Sequence, residues 1–321
     1  MSTSGGTKAI IAALVANLGI AVSKFVAFLL TGASSLLAES VHSVADSGNQ
    51  ALLLVGGKRA TREATPAHPF GYGRERYIYA FIVSIVLFSV GGLFALYEGY
   101  HKITHPEPLT SPQIAIGVLI VAIGLETYSF RTAIVESNKV RGTQSWIKFI
   151  RHAKAPELPV VLLEDLGALV GLVLALLGVS LTVITGDGVW DGIGTIGIGI
   201  LLVLIAFILA IETKSLLLGE SAGAEAQRRI VEALQSEPGV ESVIHMRTLH
   251  LGPEELLVGA KISIRADLSA ADLVATIDGA EERVRGVESN ARVIYLEPDF
   301  RRPNESPDLP SRSAALIKEG D

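Results

Sequence analysis

His42 and Asp46, four residues apart, sit in an otherwise apolar stretch that also holds Glu39, Ser43, Asn49 and Gln50. On a helix, residues four apart share one face with side chains about 6 Å apart, and Glu39 lies one turn earlier on it. An imidazole and a carboxylate at that spacing can hold one small cation between them. A second apolar stretch, Val160 to Ala168, carries the adjacent carboxylates Glu164 and Asp165. Neighbours on a helix point about 100° apart, so both cannot face one centre squarely. Asp165 is read as a ligand, and Glu164 as a fourth ligand or a proton relay. An ionisable group at mid-bilayer costs about 2.5–3.5 kcal/mol on insertion scales, so this concentration calls for a function. Cation binding supplies one.

Other polar groups in apolar surroundings have plainer readings. Asn17, Lys24 and Glu126 suit interhelical hydrogen bonds or charge balance, and Glu157 suits an entrance or solvated position. The 321 residues include no cysteine. Any transition metal must therefore be held by His, Asp or Glu, and a thiolate site is excluded. No prosthetic group is expected. A membrane-embedded metallohydrolase would be expected to carry His-Glu-x-x-His, which is absent, so the chain is not read as an enzyme. A net charge of −6 without a basic stripe argues against nucleic acid as a partner.

The positioning elements follow from the hydropathy pattern. The chain is 49% hydrophobic and 19% charged, below the roughly 25% charge of globular chains, with a mean hydropathy of +0.46. Apolar residues are bunched at about 8–31, 33–56, 77–100, 112–136, 157–184 and 189–212. Each run is long enough to cross a lipid bilayer as a helix. The first is too long for a signal peptide and is expected to stay as a structural helix. Lys58, Arg59, Arg62, Arg74 and Arg76 follow span two, and Arg131, Lys139, Arg141, Lys148, Arg151 and Lys154 surround the span four–five connection. The opposite connections hold only Lys102. Positive connections stay cytosolic, which predicts both termini in the cytosol. Gly192, Gly194, Gly197 and Gly199 in span six suit close helix packing.

Beyond Lys214 the composition becomes that of a soluble domain. A helix is expected over Glu225–Gln235, strands over Val240–Leu251 and Leu256–Ile264 with a turn at Gly252-Pro253, and a helix opened by a Ser269/Asp272 capping box and running to about Val284. Arg292–Leu296 closes the order as a third strand. The expected fold is thus six transmembrane helices (1–214), a cytosolic αββαβ, ferredoxin-like domain (215–299) and a disordered tail (300–321).

The run Ser35-Leu36-Leu37-Ala38-Glu39-Ser40-Val41-His42-Ser43-Val44-Ala45-Asp46 resembles the second span of the cation diffusion facilitator family. His68-Pro69-Phe70-Gly71-Tyr72-Gly73-Arg74-Glu75, Trp190-Asp191, Gly239-Val240, Arg247-Thr248 and Gly252-Pro253 extend the resemblance, in order, over about residues 8–298. It implies a homodimer that alternates between inward-facing and outward-facing states and moves a divalent metal, zinc first among the candidates, out of the cytosol in exchange for protons. It also implies a tetrahedral site with two ligands from span two, His42 and Asp46, and two from span five. Asp165 matches the second of these, and the first falls on Val161, which cannot coordinate. Glu164, Glu39 or a water is left to complete the shell, and some branches carry an acidic pair similar to Glu164-Asp165. At the family's loop metal site His68 stands with Thr65 and Tyr72. The binuclear positions of the cytosolic domain fall near Ile244, Leu296 and Glu297. His245 and His250 lie close by, on opposite strand faces. That domain is therefore expected to dimerise more than to sense metal. The Ala/Val/Gly-rich composition suggests a bacterial cytoplasmic membrane.

Overall fold

All six apolar runs become helices in the computed structural model, which describes residues 3–300, with side chains from Asn17 onward. Helices α1 (Thr3–Thr31) and α2 (Ser34–Ala60) meet at Gly32, whose φ of 69° is open to glycine at little cost. Helix α3 (Glu75–Val86) runs through a π-helical stretch, Leu87–Leu93, into α4 (Phe94–Thr104). Helices α5 (Pro112–Arg141), α7 (Glu157–Thr185) and α8 (Val189–Leu218) follow. Four helices, Glu75–Thr104 and these three, are each long and apolar enough to cross a membrane. Helix α2 has the length, but its polar stripe dilutes its hydropathy. The short α6 (Trp146–His152) lies in the connection that the sequence reading treated only as a source of positive charge. Its hydropathic signal is brief, yet Ser145 Oγ accepts from Lys148 N at its start and Phe149 is buried.

The glycines of α8 do what their spacing suggests, on two sides. A Cβ on Gly192 would stand 3.1 Å from Gly99 O of α4, and one on Gly194 would stand 2.9 Å from Leu174 O of α7. Neither helix could approach as closely with side chains there. Leu36, Leu87, Leu119, Leu172, Ile198 and Leu202 fill the space between the helices and are almost fully buried.

By its internal contacts the chain divides into two units, and Lys214 ends the helical one. The second unit begins at Ser215 and also takes in Arg62–Arg74, a segment inside the stretch read as membrane domain. Backbone proximity accounts for this grouping: a Cβ on Gly73 would meet Leu251 O at 2.8 Å and Gly252 Cα at 3.1 Å. The second unit has the expected order α9 (Ala224–Gln235), β1 (Val240–Gly252), β2 (Glu255–Ile264), α10 (Ala270–Val287) and β3 (Ala291–Asp299). β2 is central, antiparallel to β1 and parallel to β3. Leu256, Val258, Ala260 and Ile262, alternating along β2, are buried in one core with Ile230 and Leu234 of α9 and Ala280 and Val284 of α10. The Ser269/Asp272 capping box is formed in both directions. The tail, read as disordered over 300–321, lies outside the described residues apart from Phe300.

Candidate metal centre

Helix α2 places its polar groups on one side because their spacing follows the helical repeat. His42 is 1% exposed, and its Nε2 lies 3.4 Å from Asp46 Oδ2. Among the described residues neither ring nitrogen of His42 has a hydrogen-bond partner, and Asp46 Oδ1 and Asn49 Oδ1 are likewise buried without one. Buried polar atoms are ordinarily satisfied, so four orphans on one face of one helix mark a place built for something else.

Helix α7 brings the second half. Glu164 and Asp165 are both buried, and Asn49 Nδ2 donates to Glu164 Oε1 at 2.7 Å, joining α2 to α7. Asp165 turns the other way, where Ser129 Oγ of α5 donates to its Oδ2 at 3.0 Å. The two carboxylates thus diverge, as adjacent helical positions must. The charges of Glu164, Asp165 and Glu126 all act on Asp46, so the acidic groups share one region. In this conformation, however, no three His, Asp or Glu side chains among the described residues are placed to hold one ion. The structure pairs His42 with Asp46 and faces them with acidic α7, but leaves the four-residue shell open. Val161 is half-buried and packs against the apolar core.

The π-helical stretch of α3–α4 backs the histidine. A methyl on Gly91 would stand 3.8 Å from His42 Nδ1 and 3.2 Å from a Leu202 methyl. π-bulges often occur at functional sites, because the extra residue shifts a helix face locally.

Glu39 is not free for the shell. Lys24 Nζ lies 3.1 Å from Glu39 Oε2 and donates to Ser43 Oγ at 2.9 Å, and both charged groups are fully buried. This is the charge balance expected for Lys24. Asn17 Nδ2 likewise donates to Gln50 Oε1 at 3.4 Å, an interhelical bond. Glu157 pairs with Arg76 at the start of α3, which ties it down in place of leaving it solvated.

Sequence reading gave no role to Asn49 or Ser129 and left Asp191 as a family motif only. Asn49 continues the His42/Asp46 face by one further turn, a signal that was present. Ser129 carried none. Asp191, fully buried at the start of α8, accepts from Ser34 N at 2.6 Å and Ser35 N at 3.4 Å, and from Ser35 Oγ at 2.5 Å. It caps α2 from another helix, since the residue at the cap, Ala33, has no side-chain acceptor.

The auxiliary histidines belong to the second unit. Thr65 Oγ1 and Tyr72 OH are 3.3 Å apart, and the His68 ring lies 4.7 Å from that of Tyr72, so the loop trio is held by its own contacts. His245 is exposed and His250 is buried, as opposite strand faces require.

Residues 10–218, well over half of the chain, match the cation efflux transmembrane domain. The chain belongs to the cation efflux family. Such a protein is an integral membrane protein, and the family's members are transporters, not enzymes. Among the similar proteins, the mitochondrial proton-coupled zinc antiporter SLC30A9 of Mus musculus is 32% identical over 232 residues, covering 71% of this chain and 41% of that protein. The cation efflux chain thus spans about two fifths of the length of that relative. The cation-efflux pump FieF of Yersinia pestis (strain Pestoides F) is 26% identical over 270 residues, 81% of this chain and 85% of the pump. A solved MamM-CTD is 23% identical, covers 24% of this chain and 96% of its own, and has a TM-score of 0.23.

Proposed function

We propose that this cation efflux protein exports a divalent metal ion, zinc foremost, from the cytosol in exchange for protons, with His42, Asp46, Asp165 and Glu164 as the ligands. The observation that carries this reading is the buried imidazole of His42, with neither nitrogen hydrogen-bonded among the described residues, beside Asp46, whose Oδ1 is also buried without a hydrogen bond. A neutral imidazole with three carboxylates near it suits a borderline ion such as Zn2+, and metal binds only to deprotonated ligands. Protons and metal therefore compete for one set of atoms, which is the chemical basis of exchange. The open shell is consistent with a state between captures: Glu164 would leave Asn49 and Asp165 would leave Ser129 as the ion is bound. The names of relatives, a proton-coupled zinc antiporter and a cation-efflux pump, agree with this reading.

The positive connections after spans two and four support cytosolic termini and loading from that side. The αββαβ unit is read as the dimerisation module of a homodimer, and a bacterial cytoplasmic membrane as the setting.

The test is metal-stimulated proton flux in sealed proteoliposomes with a panel of divalent ions. Asp46→Ala and Asp165→Ala should each abolish coupled flux while the purified protein keeps its helicity and oligomeric state. Wild-type zinc flux in the Asp165 variant would overturn the ligand assignment.

A further inference from the structure

Next to the proposed cargo ligands lies a buried lysine–glutamate pair. Lys24 Nζ stands between two oxygens, Glu39 Oε2 at 3.1 Å and Ser43 Oγ at 2.9 Å. All three side chains are buried, with Lys24 and Glu39 at 0% exposure. The other carboxylate oxygen, Glu39 Oε1, is buried without a hydrogen-bond partner among the described residues. It points at α7, where a Cβ on Gly171 would stand 2.6 Å away, so the carboxylate fits only because position 171 is glycine.

A fully buried lysine is rare, because its ammonium is a compact and strongly hydrated charge. For charge balance alone the pair is a poor solution, since an apolar pair of similar volume in its place is often as stable or more so. The arrangement resembles a cation site in its donors: one carboxylate and one hydroxyl, all hard oxygen. A hard divalent ion sits about 2.0–2.6 Å from such oxygens. The ammonium nitrogen therefore lies about 0.3–1.1 Å beyond the ligand distance of a hard ion from these two oxygens.

We propose that Lys24 is a tethered cation that fills an oxygen-lined second site formed by Glu39 and Ser43, so that a protomer takes up one metal ion and not two. The inference rests on the reading of His42 and Asp46 as cargo ligands, because it assigns the neighbouring site to the lysine. Glu39 is three residues from His42, and Ser43 adjoins it, so an ion in the cradle would sit beside the cargo. With Lys24 in place, the cradle stays neutral. The oxygen-only donor set directs it toward hard ions such as Mn2+ if the lysine is removed.

The experiment counts Mn2+ bound per protomer, by loss of the free-ion EPR signal during titration of the purified full-length protein in detergent. Lys24→Ala, and Lys24→Asn as a shorter polar variant that leaves room for the ion, should each bind one Mn2+ more than wild type. Adding Glu39→Gln to either should return the count to the wild-type value. A lysine variant that folds and binds the wild-type number overturns the proposal, because Glu39 would then have been neutralised by a proton. The same comparison in an Asp46→Ala background separates the two readings. There the extra ion should persist, whereas an Asp46→Ala count equal to wild type removes the cargo site and not the cradle.

Discussion

Asp191 should hold the N-terminal end of α2, and replacing it should cost several kcal/mol without touching the proposed metal site. Its carboxylate accepts from Ser34 N at 2.6 Å and Ser35 Oγ at 2.5 Å, with a longer contact to Ser35 N at 3.4 Å. All three residues are buried. A hydrogen bond to a charged acceptor is worth about 1.5–3 kcal/mol, so the two short bonds total about 3–6 kcal/mol. Part of this is recovered if water enters, and Asp191→Ala is expected to destabilise by about 3–5 kcal/mol, the range for breaking a buried charged network. Asp191→Asn keeps one acceptor oxygen and should lose about half as much. Unfolding by SDS titration in mixed micelles reads the difference directly. His42 lies a little over two turns along α2 from Ser34, about 12 Å along the axis, so the cap positions the ligand helix but makes no contact with cargo. Folded Asp191→Asn should therefore bind metal with wild-type affinity. A loss below about 0.5 kcal/mol for alanine, the size of an ordinary surface change, would refute the capping account. Loss of metal binding in folded Asp191→Asn would place Asp191 on the ion path.

Two further outcomes follow from the geometry. His42→Asp makes the α2 donors all oxygen, so zinc should lose ground to Mn2+ in competition flux, and an unchanged zinc preference would remove the imidazole from the shell. In the second unit, Ser269→Ala breaks the capping box, in which Ser269 Oγ accepts from Asp272 N at 3.2 Å. A cost of about 1 kcal/mol is expected, seen as faster hydrogen exchange over the first turn of α10, and unchanged exchange there would show that the box adds nothing measurable.

Local pattern was enough for the elements. Ser269, just before α10, and Asp272, in its first turn, announced that helix, and alternation along Leu256–Ile264 announced β2. The capping box and the strand period are short-range effects, so sequence spacing reports them directly. Helix α6 escaped notice because seven residues hold too few turns to show a period. The segment Arg62–Arg74 was assigned by its neighbours in sequence, whereas its close approach at Gly73 to Gly252 is long-range.

For the centre itself, residue types and helical periodicity determined that His42 and Asp46 share a face, that Glu164 and Asp165 diverge, and that so many polar groups in apolar helices call for a function. Those conclusions need only the rise and repeat of one helix. Tertiary structure alone decided the partners: Asn49 reaching Glu164, Ser129 holding Asp165, Lys24 neutralising Glu39, and Asp191 capping a helix that begins more than 150 residues before it. A hydrogen bond between helices depends on their packing, which glycines such as Gly178 and Gly194 set through backbone approach. No spacing within a single helix encodes that distance.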